Sequence, residues 1–224
     1  MPLLSGNTLK LIAAASMLLD HIGLLFFPES GVLRILGRLA YPIFAYMIAE
    51  GCYYTRNRRR YFFTIFALAA ACQLVYALVG DWMYFSILFT FSLSILNIYA
   101  MDRFKADRSA RNEVFLTLTI AGTFLLNNLF TIDYGFWGSM APVCAAIFRD
   151  TSWDSPRPRL VLFGLGLVML SLSLGGSQWW CLLSLPLLLC YSGERGKGNL
   201  KYFFYLFYPL HLALLQGLQW LLQG

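Results

Sequence analysis

The chain has 224 residues, of which 59% are hydrophobic and only 12% charged, with a formal net charge of +6. Charged residues make up about a quarter of an ordinary soluble domain, so this composition excludes a soluble globular enzyme. Apolar runs of roughly 17 to 22 residues recur along the whole length and define a polytopic membrane protein.

In chain order, the apolar runs and their breaks give nine candidate spans, near 8–27, 33–54, 61–79, 82–101, 114–130, 134–149, 160–175, 178–192 and 202–222. The expected fold is all-α: one integral-membrane domain over residues 1–224, a transmembrane helical bundle of about nine spans. The sixth to eighth runs are short, as for helices tilted little or partly re-entrant. The first run lacks a small-x-small cleavage site and continues into a second apolar run, unlike a cleavable signal peptide.

Lys and Arg orient this arrangement. With the N-terminus cytoplasmic, 15 of the 17 basic residues face the cytoplasm. They include Lys10, Arg56, Arg58, Arg103, Lys105, Arg108, Arg149, Arg159, Arg195 and Lys197. Such a bias is the positive-inside signature, and it puts the C-terminus at Gly224 outside. It also accounts for the basic runs without nucleic acid. The two exceptions, Arg34 and Arg38 in "GVLRILGRLAYPIFAY", are four residues apart and share a helix face that continues through Tyr41 and Ala45.

The ionisable residues inside the spans carry the functional signal, because such groups are expensive in a bilayer and mark chemistry or transport. Asp20 and His21, in "SMLLDHIGLLFF", lie roughly 10 Å from the outer end of the first span. Asp20 shares its face with Ala13, Ser16 and Gly23, small residues that let helices approach closely. His211, in "YFFYLFYPLHLALL", lies roughly 15 Å from the cytoplasmic end of the last span. Pro209 just before it is expected to kink the helix, and Tyr208 lies on a nearby face. Glu50 ends the second span, while Asp133 and Tyr134 open the sixth. A structural reading pairs Asp20 with Arg34 or Arg38 and lets His21 bond a neighbouring helix. A chemical reading makes His21 a base or proton relay, the role suited to a side chain titrating near neutral pH. Adjacency makes a direct Asp20–His21 contact awkward, so a carboxylate from another helix is an alternative partner. The five cysteines, Cys52, Cys72, Cys144, Cys181 and Cys190, show no CxxC or Cys/His metal spacing and read as small buried hydrophobes. No metal site is expected.

These same residues carry a resemblance. "LDHIG", "LRILGRLAYPIFAYMIAEGCYYTRN", "DYGFWG" and "YSGERGKGNLKYFFYLFYPLHL" resemble the successive motifs of the TraX family, which is linked to N-terminal acetylation of F-pilin and considered related to a superfamily of membrane acyltransferases. The resemblance implies importance for Asp20, His21, Gly37, Arg38, Pro42, Glu50, Asp133, Tyr134, Arg195, Tyr208 and His211. It also implies a bacterial cytoplasmic (inner) membrane location and a cytoplasmic acyl-CoA donor. One departure stands out: the third span ends in "AACQLVYAL" where the family usually has an acidic segment, which leaves substrate preference open.

An acyltransferase needs a base for the incoming nucleophile and donors for the developing oxyanion. On that scheme His21 is the base and Arg38 orients Asp20 or stabilises the oxyanion. His211 contacts the acyl carbonyl or pantetheine, with Tyr208 beside it. Arg56, Arg58, Arg195 and Lys197 receive the nucleotide end of acyl-CoA. Arg34, Glu50, Asp133 and Tyr134 complete a substrate or structural site. The donor, acetyl-CoA above all, is a substrate rather than a permanently bound cofactor. The acceptor is a small molecule, a glycan or a peptide N-terminus at or across the lipid bilayer. Two other functions fit the same residues: a proton-coupled transporter, and a non-enzymatic pilus or membrane assembly protein.

Overall fold

The structure is a computed structural model that describes residues 3–78, 83–152, 154–198 and 200–223. The expected position of Gly224, and the junction of the third and fourth spans at 79–82, lie outside the described residues. Nearly everything else is helical. The helices are α1 (Gly6–Phe26), α2 (Gly31–Gly37), α3 (Ala40–Tyr54), α4 (Arg58–Leu78), α5 (Ile87–Ala106), α6 (Ala110–Leu129), α7 (Gly135–Ala146), α8 (Pro156–Leu174), α9 (Ser184–Leu189) and α10 (Lys201–Gln223). Gly176–Leu183 forms a 3-10 segment before α9.

Among the described residues, four stretches are long and apolar enough to cross a membrane: Gly6–Phe26, Gly31–Tyr54, Ile87–Ala106 and Pro156–Leu174. The other long helices carry more polar residues: α4 opens on Arg58, Arg59 and Arg60, and α6 ends near Asn127 and Asn128. The sixth candidate span folds as the 12-residue α7. At 1.5 Å per residue that is about 18 Å, short of a roughly 30 Å hydrocarbon core. The eighth is the 3-10 segment followed by the six-residue α9. The second is not one unbroken helix either: α2 and α3 are separated by a turn at Arg38 and Leu39.

The helix ends follow local chemistry. Ser5 caps α1, its hydroxyl accepting from the Thr8 amide at 3.2 Å, which satisfies one of the amides a helix start leaves open. Pro28 lies just beyond its last turn and cannot continue a helix. Buried hydroxyls bond within their own helices, as Ser92 does to the Leu88 carbonyl and Ser171 to that of Leu167. Such back-bonding satisfies part of a polar residue's hydrogen-bonding capacity within its own helix.

The chain divides into two compact units, Met1–Met47 with Leu174–Gly224, and Ile48–Ser173. In the first, α1 packs on α2 and α10, and α2 on the 3-10 segment. The loop after α9 closes over the start of α1. Gly6 and Asn7 amides donate to the Glu194 and Arg195 carbonyls at 2.8 and 2.9 Å. The Asn7 side chain donates to the Lys197 and Gly198 carbonyls. In the second unit α5 is central, packed against α4, α6 and α7. Its fully buried Asn97 donates to the Thr123 hydroxyl on α6 at 2.7 Å, and its Ser94 to the Ser139 carbonyl of α7 at 2.8 Å. A two-residue parallel pair, β1 (Tyr84–Phe85) with β2 (Thr131–Ile132), joins the loops beside α5. So short a pair carries no periodicity by which a sequence would reveal it.

Candidate active site

In the first unit, the polar residues of α1 and α2 meet around one carboxylate. Arg34 Nη1 donates to Asp20 Oδ1 at 2.9 Å, and Arg38 Nη2 reaches Oδ1 at 3.1 Å and Oδ2 at 3.4 Å. The sequence reading offered either arginine as the partner; the structure uses both. Arg38 Nη1 also donates to Gln178 Oε1 at 3.1 Å, so the 3-10 segment holds the guanidinium from behind. The contact depends on Gly37: a Cβ there would collide with the Asp20 side chain. Ala13, Ser16 and Gly23, the expected face-mates of Asp20, are buried.

His21 faces elsewhere. Its Nδ1 lies 2.8 Å from the Met17 carbonyl one turn back, and 3.4 Å from Nε2 of His211. The two rings meet edge-on, centroids 4.9 Å apart. His211 Nδ1 lies 2.7 Å from the Phe207 carbonyl. A carbonyl only accepts, so both rings carry their proton on Nδ1, and each Nε2 keeps a lone pair. His211 Nε2 then accepts from His21 Nδ1–H, and the lone pair left without a partner among the described residues is that of His21 Nε2. Phe207 stacks on the His211 ring at 4.8 Å, and Tyr208 meets it edge-on at 5.7 Å. Pro209 sits inside α10 without ending it.

Asp20 spends its oxygens on the arginines and does not brace His21. The brace comes from a backbone carbonyl and a second imidazole. His211 lies against His21 through the edge-on ring contact. Arg195 and Lys197 are exposed on the loop docked to α1. They belong to a different unit from Arg56 and Arg58.

The second unit holds another buried ion cluster. Glu50 accepts from both Arg149 and Arg159, and Glu50 and Arg159 are only 4% and 5% exposed. Asp154 lies 3.6 Å from Arg149 and 3.9 Å from Arg159. Arg149 stacks over Tyr53 at 4.2 Å. The sequence counted these arginines only among the cytoplasmic-side charges; the acid that ends the second span was the sign that buried cations were needed, since buried charges are paired. Arg58 pairs with Asp102 at 2.8 Å, and Arg56 is exposed. Asp133 and Tyr134 form the turn into α7. Thr90 Oγ1 donates to the Asp133 carbonyl at 2.5 Å, and Tyr134 adopts a left-handed φ of 62°. Among the described residues no group of His, Cys, Asp and Glu has the makings of a metal site, and the cysteines are free thiols.

The fold and these sites define a helical membrane protein that holds a few ionisable side chains, His21, Asp20 and His211 among them, within its apolar helices. The family profile described as TraX protein matches residues 5–219, and the chain belongs to the TraX family. It is 27% identical over 249 residues to the "Probable fimbrial assembly protein FimC, serogroup H1" of Dichelobacter nodosus, covering 98% of this chain and 97% of that one. It is also 42% identical over 47 residues to the "Uncharacterized protein RP591" of Rickettsia prowazekii (strain Madrid E), covering 21% and 19% of the two chains. No solved structure matches it.

Proposed function

We propose that this protein is an acyltransferase of the bacterial inner membrane, moving an acetyl or related acyl group from cytoplasmic acyl-CoA to an amine or hydroxyl of an acceptor at or across the bilayer. The observation that carries this reading is the lone pair on His21 Nε2, with Nδ1 held by the Met17 carbonyl and His211 Nε2. As an acceptor amine or hydroxyl attacks the thioester carbonyl, His21 Nε2 takes the proton it loses. The positive charge that develops on the ring strengthens both bonds at Nδ1. Collapse of the tetrahedral intermediate breaks the C–S bond, and the imidazolium returns its proton to the departing thiolate. His21 is the catalytic residue, and His211, Asp20 and Arg38 are positioning residues. Kinship to the wider membrane acyltransferases belongs to the same proposal.

The curated relative named for fimbrial assembly favours a second reading, a membrane protein that assists pilus assembly without catalysis. Purified protein in nanodiscs separates the two. Transfer of radiolabelled acetyl from acetyl-CoA to an amine or hydroxyl acceptor supports catalysis. Absence of both transfer and acetyl-CoA hydrolysis supports assembly alone. Flux of a substrate in liposomes without acyl donor would point instead to transport.

A further inference from the structure

The second unit contains a cavity of about 780 Å³ where the end of α5, the loop to α6 and the segment after α7 meet the start of α4. Its walls include Arg58, Arg103, Lys105 and Arg108 against two acids, Asp102 and Asp150. Asp102 is already neutralised by Arg58, whose guanidinium also lies over the Tyr99 ring at 5.0 Å. Lys105 donates to the Ala146 and Arg149 carbonyls. Arg103 stacks over Phe115 at 5.6 Å, and neither it nor Arg108 has a carboxylate partner among the described residues.

We infer that this cavity binds the phosphates of a nucleotide, the nucleoside-phosphate end of the acyl donor. The inference rests on the acyl-CoA reading above. Three features point the same way. The volume falls within the roughly 300–1,000 Å³ of small-molecule sites. Two uncommitted guanidinium forks match phosphate oxygens, where Arg binds bidentately. Asp150 and the Thr151 hydroxyl, which donates to the Phe148 carbonyl and can still accept, also line the cavity and offer acceptors for a ribose hydroxyl or an adenine amino group, which a bare phosphate or a simple phosphodiester headgroup would not use. The residues differ from those the sequence suggested: Arg58 is retained, while Arg103 and Arg108 take the places assigned to Arg195 and Lys197.

The test uses full-length protein in phosphatidylcholine nanodiscs and adenosine 3′,5′-bisphosphate as the probe. Wild-type protein should bind it, and Arg103→Gln with Arg108→Gln should weaken binding at least tenfold. Arg103→Lys with Arg108→Lys, which keeps the charge, should bind between the two and melt like wild type. His21→Ala should bind normally. Equal binding by the double glutamine variant, no binding by wild type, or displacement by inorganic phosphate at the same concentration would each overturn the assignment. So would preferential binding of phosphatidylglycerol vesicles, which would give the cavity to a lipid headgroup. Acetyl transfer with an unchanged KM in the double glutamine variant would remove the cavity from the reaction and leave the acyltransferase reading standing. Bisphosphate bound here without any transfer would do the opposite.

Discussion

His21 and His211, 190 positions apart in the chain, meet through Nδ1 and Nε2 at 3.4 Å. Each ring is also tied to the carbonyl one turn before it. The pair is therefore directional: the proton between the rings belongs to His21, and the open lone pair does too.

His211 should accordingly act through His21. His211→Ala should lower transfer by about tenfold, less than the 10²-fold or more expected for losing a general base. Donor affinity should hold. His211→Gln, whose amide oxygen can accept from His21 Nδ1–H, should recover part of the rate, whereas His211→Leu should not. Recovery by leucine as good as by glutamine, read from single-turnover rates on protein of matched melting temperature, would leave His211 as packing only.

Asp20 sits between two arginines, so the three members of the cluster are not equivalent. Asp20→Ala leaves two poorly solvated cations, and Arg34→Ala leaves a pair intact. Breaking a buried ion pair costs on the order of 3–5 kcal/mol. Thermal unfolding should rank Asp20→Ala lowest, Arg38→Ala next and Arg34→Ala mildest. Asp20→Ala with Arg38→Ala should recover part of the loss. Gly37→Ala should behave like a cluster mutation, because its methyl group takes the space of the carboxylate. Gly31→Ala, with open space around it, should be neutral.

Glu50 accepts from two arginines within the second unit. Glu50→Gln should destabilise by on the order of 3–5 kcal/mol, because it leaves two buried cations to the longer contacts of the single, more exposed Asp154. Arg159→Ala should cost less, since Arg149 still answers the acid. Denaturant titration in detergent ranks them, and a milder Glu50→Gln would contradict the arrangement.

The basic residues imply orientation. The loops near residues 55–60 and 102–112 should be cytoplasmic. A cysteine placed at Arg108 in a cysteine-free background should resist a membrane-impermeant maleimide in intact cells and react in inverted vesicles. Labelling from outside would reverse the topology.

Much of this was legible before any coordinates. The apolar runs marked most of the helices, and the four-residue spacing of Arg34 and Arg38 put both on the face that reaches Asp20. The sequence put both histidines inside spans, His21 nearer the outer face and His211 nearer the midplane, but did not bring the two rings together. That α1 and α10 are neighbours is a matter of long-range packing, and local periodicity is silent on it. The turn at Arg38 and Leu39 was hidden because the apolar pattern runs through it unbroken. Gln178 was missed because a lone amide in "GGSQWWC" gives no signal of its own. Arg149 and Arg159 were read only as cytoplasmic-side charges because topology explained them well enough.

The most direct measurement is acetyl transfer by His21→Ala protein, with melting temperature and donor affinity taken on the same preparation. A base in a prebuilt site contributes to the transition state, while the helix around it depends on shape. The rate should therefore fall by about 10²-fold or more, with melting and acetyl-CoA affinity close to wild type. A stable His21→Ala protein that turns over at the wild-type rate would contradict the assignment of His21 as the base and leave "LDHIG" as a packing motif.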